Sequence, residues 1–120
     1  LSELKKRNIN FNKLKSLFIG VAYKKNVDDM RESPAVELMK LFLQKGSEVN
    51  YADPFIPSFI LNEKKYESLT LNDATIASYD VVVITTDHDN IDYDNILSNA
   101  NLILDTRGIY HQQAEKVIQA

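Results

Sequence analysis

The feature that most constrains this chain is one unit of strand, helix and strand near its start. Ser16-Leu17-Phe18-Ile19-Gly20-Val21-Ala22 is a continuous apolar run, as expected of a strand buried on both faces rather than half-exposed. After a polar stretch, Tyr23 to Glu32, comes Ser33-Pro34. Serine accepts the free amides of a helix start, and proline at the first helical position forfeits no hydrogen bond. Ala35, Leu38, Met39, Phe42 and Leu43 then recur at helical spacing, and Lys45-Gly46 supplies the stop. Glu48-Val49-Asn50-Tyr51 reads as a second strand, ended by Asp53-Pro54, which has the form of a turn.

The alternation continues. Tyr66 to Leu71 is expected as a third strand and Asn72 to Ser78 as a short helix. Asp80-Val81-Val82-Val83-Ile84-Thr85, rich in β-branched residues, is the fourth strand. Tyr93 to Ala100 reads as a helix, Leu102 to Asp105 as the fifth strand, and Gln112 to Ile118 as a last helix. This order predicts an α/β fold, a Rossmann-like doubly wound and mainly parallel sheet of about five or six strands with helices on both faces.

Length and charge narrow the function. The 120 residues suit one compact domain, and 44% apolar against 26% charged residues is globular composition. There is no apolar run long enough to span a bilayer and no signal-peptide pattern, so a cytoplasmic location is expected. Cysteine is absent, which excludes disulfides and thiol chemistry on these residues. A net charge of −3 argues against nucleic acid as a partner. Residues 1–15 carry five cations against one acid, whereas the other 105 carry nine cations and 16 acids. We read 1–13 as the end of an interdomain linker, anchored by Leu4, Ile9 and Phe11, and 14–120 as the domain. A chain beginning at Leu1 rather than Met is expected of a fragment or a processed product.

Doubly wound sheets bind ligands outside the carboxyl ends of their strands, where strand order reverses. After the first strand come Tyr23-Lys24-Lys25 and, further on, Asp28-Asp29-Met30-Arg31; after the fourth, Thr85-Thr86-Asp87-His88-Asp89; after the fifth, Asp105-Thr106-Arg107-Gly108. Only three arginines stand against eleven lysines, and two of them, Arg31 and Arg107, fall in these loops. Guanidinium forks suit phosphate and carboxylate contacts, so an anionic ligand, most simply a phosphate or pyrophosphate, is expected. The site is no ordinary dinucleotide loop, because Gly20 is followed by Val21-Ala22 without the further glycines that admit a pyrophosphate. His88 between Asp87 and Asp89 suggests a metal or an acid–base pair, but one histidine in a turn is slender ground, and no metal is expected. Asp28 and Asp29 are read as capping or lysine-pairing acids, with Asp29 orienting Lys24 or Arg31, and Glu32-Ser33 as first-turn helix chemistry.

The run from Gly20 to Pro34 resembles the signature that opens the C-terminal, UDP-binding domain of the UDP-glucose/GDP-mannose dehydrogenase family. Tyr51-Ala52-Asp53-Pro54, Asp80 to His88 and Asp105-Thr106-Arg107 match later blocks in the same order, and the last two look most like the branch acting on UDP-N-acetylhexosamines. The resemblance implies an oxidoreductase of polysaccharide biosynthesis. Such enzymes oxidise the C6 hydroxymethyl of a nucleotide sugar to a carboxylate in two NAD-dependent steps, through a thiohemiacetal on a cysteine. Cysteine and NAD site lie in an N-terminal domain of the same polypeptide, which partners this one, and the family is usually at least dimeric. By the same resemblance Tyr23, Lys24 and Arg107 are substrate-binding, Arg31 reaches NAD, and no residue here is catalytic.

Two rivals stand beside it. A phosphorelay receiver domain shares the fold class, with Asp53 as acceptor, but needs an acidic pair where Lys24-Lys25 stands and a lysine where Thr106-Arg107 stands. The other is a free-standing nucleotide-sugar-binding module.

Overall fold

The computed structural model describes residues 7, 9–22, 33–110 and 115–119. Along them run β1 (Lys15–Ile19), α1 (Pro34–Gln44), β2 (Glu48–Ala52), β3 (Ser58–Leu61), β4 (Lys64–Glu67), α2 (Asp73–Ala77), β5 (Val81–Ile84), α3 (Tyr93–Asn99), β6 (Ile103–Asp105) and β7 (Val117–Gln119). Strands β2-β1-β5-β6-β7 form one sheet in that order, and every neighbouring pair is parallel. From β1 the chain passes to β2 on one side and later to β5 on the other, so strand order reverses at β1.

Register and period-2 alternation divide the core into two layers. Tyr51, Phe18, Val83, Leu104 and Ile118 are aligned across the sheet and pack on one face with Ala35, Met39 and Phe42 of α1. Leu17, Val82, Ile103 and Val117 form a row on the opposite face, under Ile76 of α2 and Ile96 of α3. Both faces are therefore covered, as near-continuous apolar strands require. Phe42 meets Phe18 and Phe11 edge-on, at 5.2 and 5.0 Å between ring centroids, so Phe11 and its neighbour Ile9 dock on the α1 layer.

The helix ends follow the sequence. The Ser33 hydroxyl accepts from the Ala35 amide at 3.2 Å, with Pro34 opening α1. Asn72 and Asp92 cap α2 and α3 in the same way, accepting from Thr75 and Asn95. Among the described residues no helix is long and apolar enough to cross a membrane.

Two expectations need correction. The third strand is not a member of the main sheet: β4 pairs antiparallel with β3, and residues 68–71 form no strand. The hairpin turns through Asn62 and Glu63, both at positive φ (52° and 65°), the twist a two-residue hairpin loop demands. The expected helix over 112–118 is overturned at its end, where Val117 and Ile118 belong to β7. Residues 111–114 lie outside the described residues. Val117 and Ile118 are β-branched and buried beside β6, and sheet burial decides their conformation.

Candidate functional site

Because β1 lies between β2 and β5, the loops leaving those two strands flank its exit. Gly20 sits at φ +85°, and a Cβ there would come within 2.5 Å of the Thr86 Cβ, so only glycine lets the chain pass so close. The backbone beyond it is held from both sides. On the β2 side, Gly20 donates to the Ala52 carbonyl at 2.9 Å, and the amides of Val21 and Ala22 both donate to Asp53 Oδ2, at 2.8 and 3.1 Å. On the β5 side, the Thr85 hydroxyl donates to the Gly20 carbonyl and the Thr86 hydroxyl to the Ala22 carbonyl at 2.8 Å.

Asp53 and His88 close this arrangement over the end of β1. Their side chains are both fully buried, with His88 Nε2 2.9 Å from Asp53 Oδ2. That carboxylate already accepts two amides on Oδ2 and the Phe55 amide on Oδ1 at 2.8 Å, so it acts as acceptor and His88 Nε2 as donor. The Phe55 ring lies 4.9 Å from the imidazole. The His88 amide donates to the Tyr93 hydroxyl at 2.9 Å, which donates to the Thr86 carbonyl at 3.1 Å. Asp53 is thus the turn former its place before Pro54 suggests, through the Phe55 amide, and also far more. The acid paired with His88 is Asp53, 35 residues away, not flanking Asp87 or Asp89. The available signal was positional: Asp53 directly follows β2 and His88 lies in the loop after β5, and both strands neighbour β1.

Arg107 stands where expected, just past β6. The buried carboxylate of Asp105 accepts from the Arg107 amide at 3.0 Å and from the Tyr110 amide at 3.0 Å, which fixes the backbone of this turn. The Arg107 side chain is exposed, and among the described residues no carboxylate pairs with it. It borders a cleft of about 620 Å³ with Thr85, Thr106 and the α1 residues Pro34, Glu37, Leu38 and Leu41. Thr106 donates its hydroxyl proton to the Ile84 carbonyl at 2.6 Å. The cleft therefore lies over the carboxyl ends of β5 and β6 beside the N-terminal half of α1, at the edge where such sheets take ligands. Of the other expected site residues, Tyr23, Lys24 and Arg31 lie outside the described residues, as do Asp28, Asp29 and Glu32; in sequence Tyr23 follows Ala22 directly.

A second cavity, of about 300 Å³, opens beside the end of β2 toward α2 and α3. Burial pushes the Tyr93 hydroxyl up to about 12, with nearby Asp87 and Asp53 adding to it. Tyr51, whose hydroxyl donates to the Ile56 carbonyl at 2.8 Å, is likewise raised to about 12 by burial and by Asp53.

A doubly wound parallel sheet with an arginine-edged cleft at its carboxyl end places the chain in the class of α/β domains that take ligands at that edge. Within that class, the family model described as "UDP-glucose/GDP-mannose dehydrogenase family, UDP binding domain" matches residues 17–112, and the chain belongs to this family. The UDP-N-acetyl-D-mannosamine dehydrogenase of Methanococcus maripaludis (strain C7) is 39% identical over 118 residues, covering 91% of this chain and 26% of that protein. The enzyme of the same name from Escherichia coli (strain K12) is 32% identical over 103 residues, 82% of this chain and 24% of that one. The structure of the UDP-D-ManNAc dehydrogenase from Pyrococcus horikoshii superposes with a TM-score of 0.73 at 24% identity, covering 98% of this chain and 27% of that chain. That likeness establishes the fold. The chain spans about a quarter of the length of the curated relatives it matches. Neither the receiver domain nor the free-standing module finds support in these matches.

Proposed function

We propose that residues 14–120 are the C-terminal, nucleotide-sugar-binding domain of an NAD-dependent UDP-sugar 6-dehydrogenase, with 1–13 as the end of the linker that joins it to its NAD-binding domain. The substrate is a UDP-N-acetylhexosamine, which is oxidised at C6 to the uronate. The observation that carries this is the exposed guanidinium of Arg107 at the rim of the cleft over β5 and β6, in a chain of this family. Arg107 holds an anionic part of the nucleotide sugar, and Tyr23 and Lys24, which follow the clamped exit of β1, complete the substrate side. Arg31 serves the cofactor. The same reading brings a role in polysaccharide biosynthesis, a cytoplasmic location and a homo-oligomeric full-length enzyme.

NAD, when bound, accepts the hydride. The described residues do not fit its pyrophosphate: at the end of β1, where dinucleotide folds offer free amides, Val21 and Ala22 already donate to the chain's own Asp53. The cofactor therefore belongs mainly to the partner domain, and this chain contributes by binding and orienting the nucleotide sugar.

Titration with UDP tests the proposal. Half a site recovers only part of the binding energy, so the isolated chain should bind UDP with a dissociation constant on the order of 1 mM. NMR shifts should cluster at residues 20–22, 85–86 and 106–107. Arg107→Ala should weaken binding by about tenfold or more while leaving the melting temperature unchanged, since a charge-assisted contact contributes about 1.5–3 kcal/mol. Shifts confined to residues 1–15, or an Arg107→Ala variant that binds like the parent, would reject the site. In the full-length enzyme, Lys24→Ala should weaken nucleotide-sugar binding more than NAD binding, and Arg31→Ala the reverse.

A further inference from the structure

We infer that Asp53 and His88 are positioning residues for the nucleotide-sugar site, a role that rests on the function proposed above. The pair acts through backbone: Asp53 holds the Val21 and Ala22 amides. Asp53 Oδ2 receives the Val21 and Ala22 amides and the His88 imidazole together, so one oxygen ties the exit of β1 to the loop after β5. That loop also carries Thr85, which borders the Arg107 cleft, and Thr86, which grips the Ala22 carbonyl. Through this circuit the last described residue before Tyr23 and Lys24 is fixed relative to the cleft. His88 is fixed in turn by its amide on Tyr93, whose carbonyl accepts the Tyr110 hydroxyl at 2.7 Å, and Tyr110 donates its own amide to Asp105 beside Arg107.

Stability alone does not call for such a pair. Burying a carboxylate and an imidazole carries a desolvation cost, and apolar residues of similar volume often stabilise as well or better. What the polar pair adds is direction: hydrogen bonds of 2.8–3.1 Å hold two successive amides at one place, which apolar packing does not. Binding groups must be held to a fraction of an ångström, and a displacement of about 1 Å can lower activity on the order of 100-fold. Among the described residues that line the cleft near Arg107 there is neither Asp53 nor His88, and the path from the pair toward the site runs through the Val21 and Ala22 amides.

The test uses the full-length polypeptide that contains this chain, with dissociation constants for UDP and for NAD measured by calorimetry well below each variant's melting temperature. His88→Ala should weaken UDP binding by about tenfold or more while NAD binding stays within about twofold. His88→Gln, whose terminal amide can put an N–H near the place of imidazole Nε2, should recover most of the UDP affinity. Asp53→Asn, if it folds, should lose at least as much as His88→Ala; if it does not fold, the two His88 variants decide. A His88→Ala protein that melts lower but binds UDP within about twofold of the parent overturns the inference, and so does an equal loss for both ligands. Arg107→Ala separates the two levels. If it weakens UDP binding while His88→Ala does not, only the positioning role fails; if the parent binds no UDP, the proposed function itself fails.

Discussion

Gly20 and Thr86 approach so closely that a single added methyl has no room: a Cβ on Gly20 would lie 2.5 Å from the Thr86 Cβ and 2.9 Å from its carbonyl oxygen. The contact sets how β1 leaves the sheet beside the loop after β5. Gly20→Ala meets two costs at once. A side chain at φ +85° costs about 1–2 kcal/mol, and the overlap with Thr86 adds to it. A loss of at least about 2 kcal/mol by chemical denaturation is expected. The double variant Gly20→Ala/Thr86→Ala should be no better, because the clash is with the Cβ that alanine retains. Rescue by Thr86→Ala would show that the hydroxyl or methyl of Thr86, not the backbone approach, is the constraint.

Phe42 is fully buried between Phe18 and Phe11, on the face of α1 that covers the sheet. Phe42→Ala should remove about 3–5 kcal/mol, the cost of the lost burial and of the cavity left between Phe18 and Phe11. Phe11 precedes β1 and is 9% exposed, with Lys45 Nζ 5.5 Å from its ring centre, so Phe11→Ala should cost less than Phe42→Ala but more than a surface substitution. Equilibrium urea melts of the two variants decide this. A silent Phe11→Ala would mean that the segment before β1 does not contribute to the folded domain in solution.

Alkaline pH should unfold this protein through its buried tyrosines. Tyr51 and Tyr93 are pushed up to about 12, chiefly by burial, and Tyr110 is shifted in the same direction by burial and by Asp105. The unfolded chain releases these protons near pH 10. The folded state, whose tyrosine values are raised, holds more protons above that pH. Its contribution to stability is therefore complete below pH 10 and is lost as pH rises from 10 toward 12. Urea midpoints should be flat up to about pH 9 and fall steeply beyond pH 10. Absorbance at 295 nm should show these hydroxyls ionising only together with unfolding. Ionisation of all six tyrosines near pH 10 in the folded protein would contradict it.

The unit from β1 through α1 to β2 was legible in the sequence because every local signal agreed: Leu17 to Ile19 apolar, Ser33-Pro34 at the helix start, Lys45-Gly46 at its end. Arg107 at a strand end was legible for the same reason, since topology alone carries it to the ligand edge. The Asp53–His88 pair was not, because the contact joins residues 35 apart that share no local pattern; only the sheet order brings their loops together. The end of the chain misled through its short spacing: Val117 and Ile118 suit a helix face as well as a strand, and pairing with β6 decides. The β3–β4 hairpin was hidden by its turn. Asn62-Glu63 lacks the glycine that usually marks a two-residue loop, and Pro57 before β3 blurs the start of the strand.

That missing glycine yields the last prediction. Glu63 occupies φ +65° at the second position of the loop between Leu61 and Lys64, and its side chain is exposed. A non-glycine residue in this region costs about 1–2 kcal/mol, whereas glycine adopts it freely and loses about 0.5–1 kcal/mol through the greater freedom of the unfolded chain. The balance favours glycine, so Glu63→Gly should stabilise the domain by about 0.5–1 kcal/mol. Asn62 stands at φ 52°, but asparagine tolerates the left-handed region, and Asn62→Gly should gain less. Glu63→Ala keeps the Cβ and should gain nothing, which separates backbone strain from the removal of a charge. Paired urea melts of the three variants read the difference directly. Equal stabilisation by Glu63→Ala and Glu63→Gly would assign the gain to charge, and a destabilising Glu63→Gly would mean that the turn carries no strain at this position.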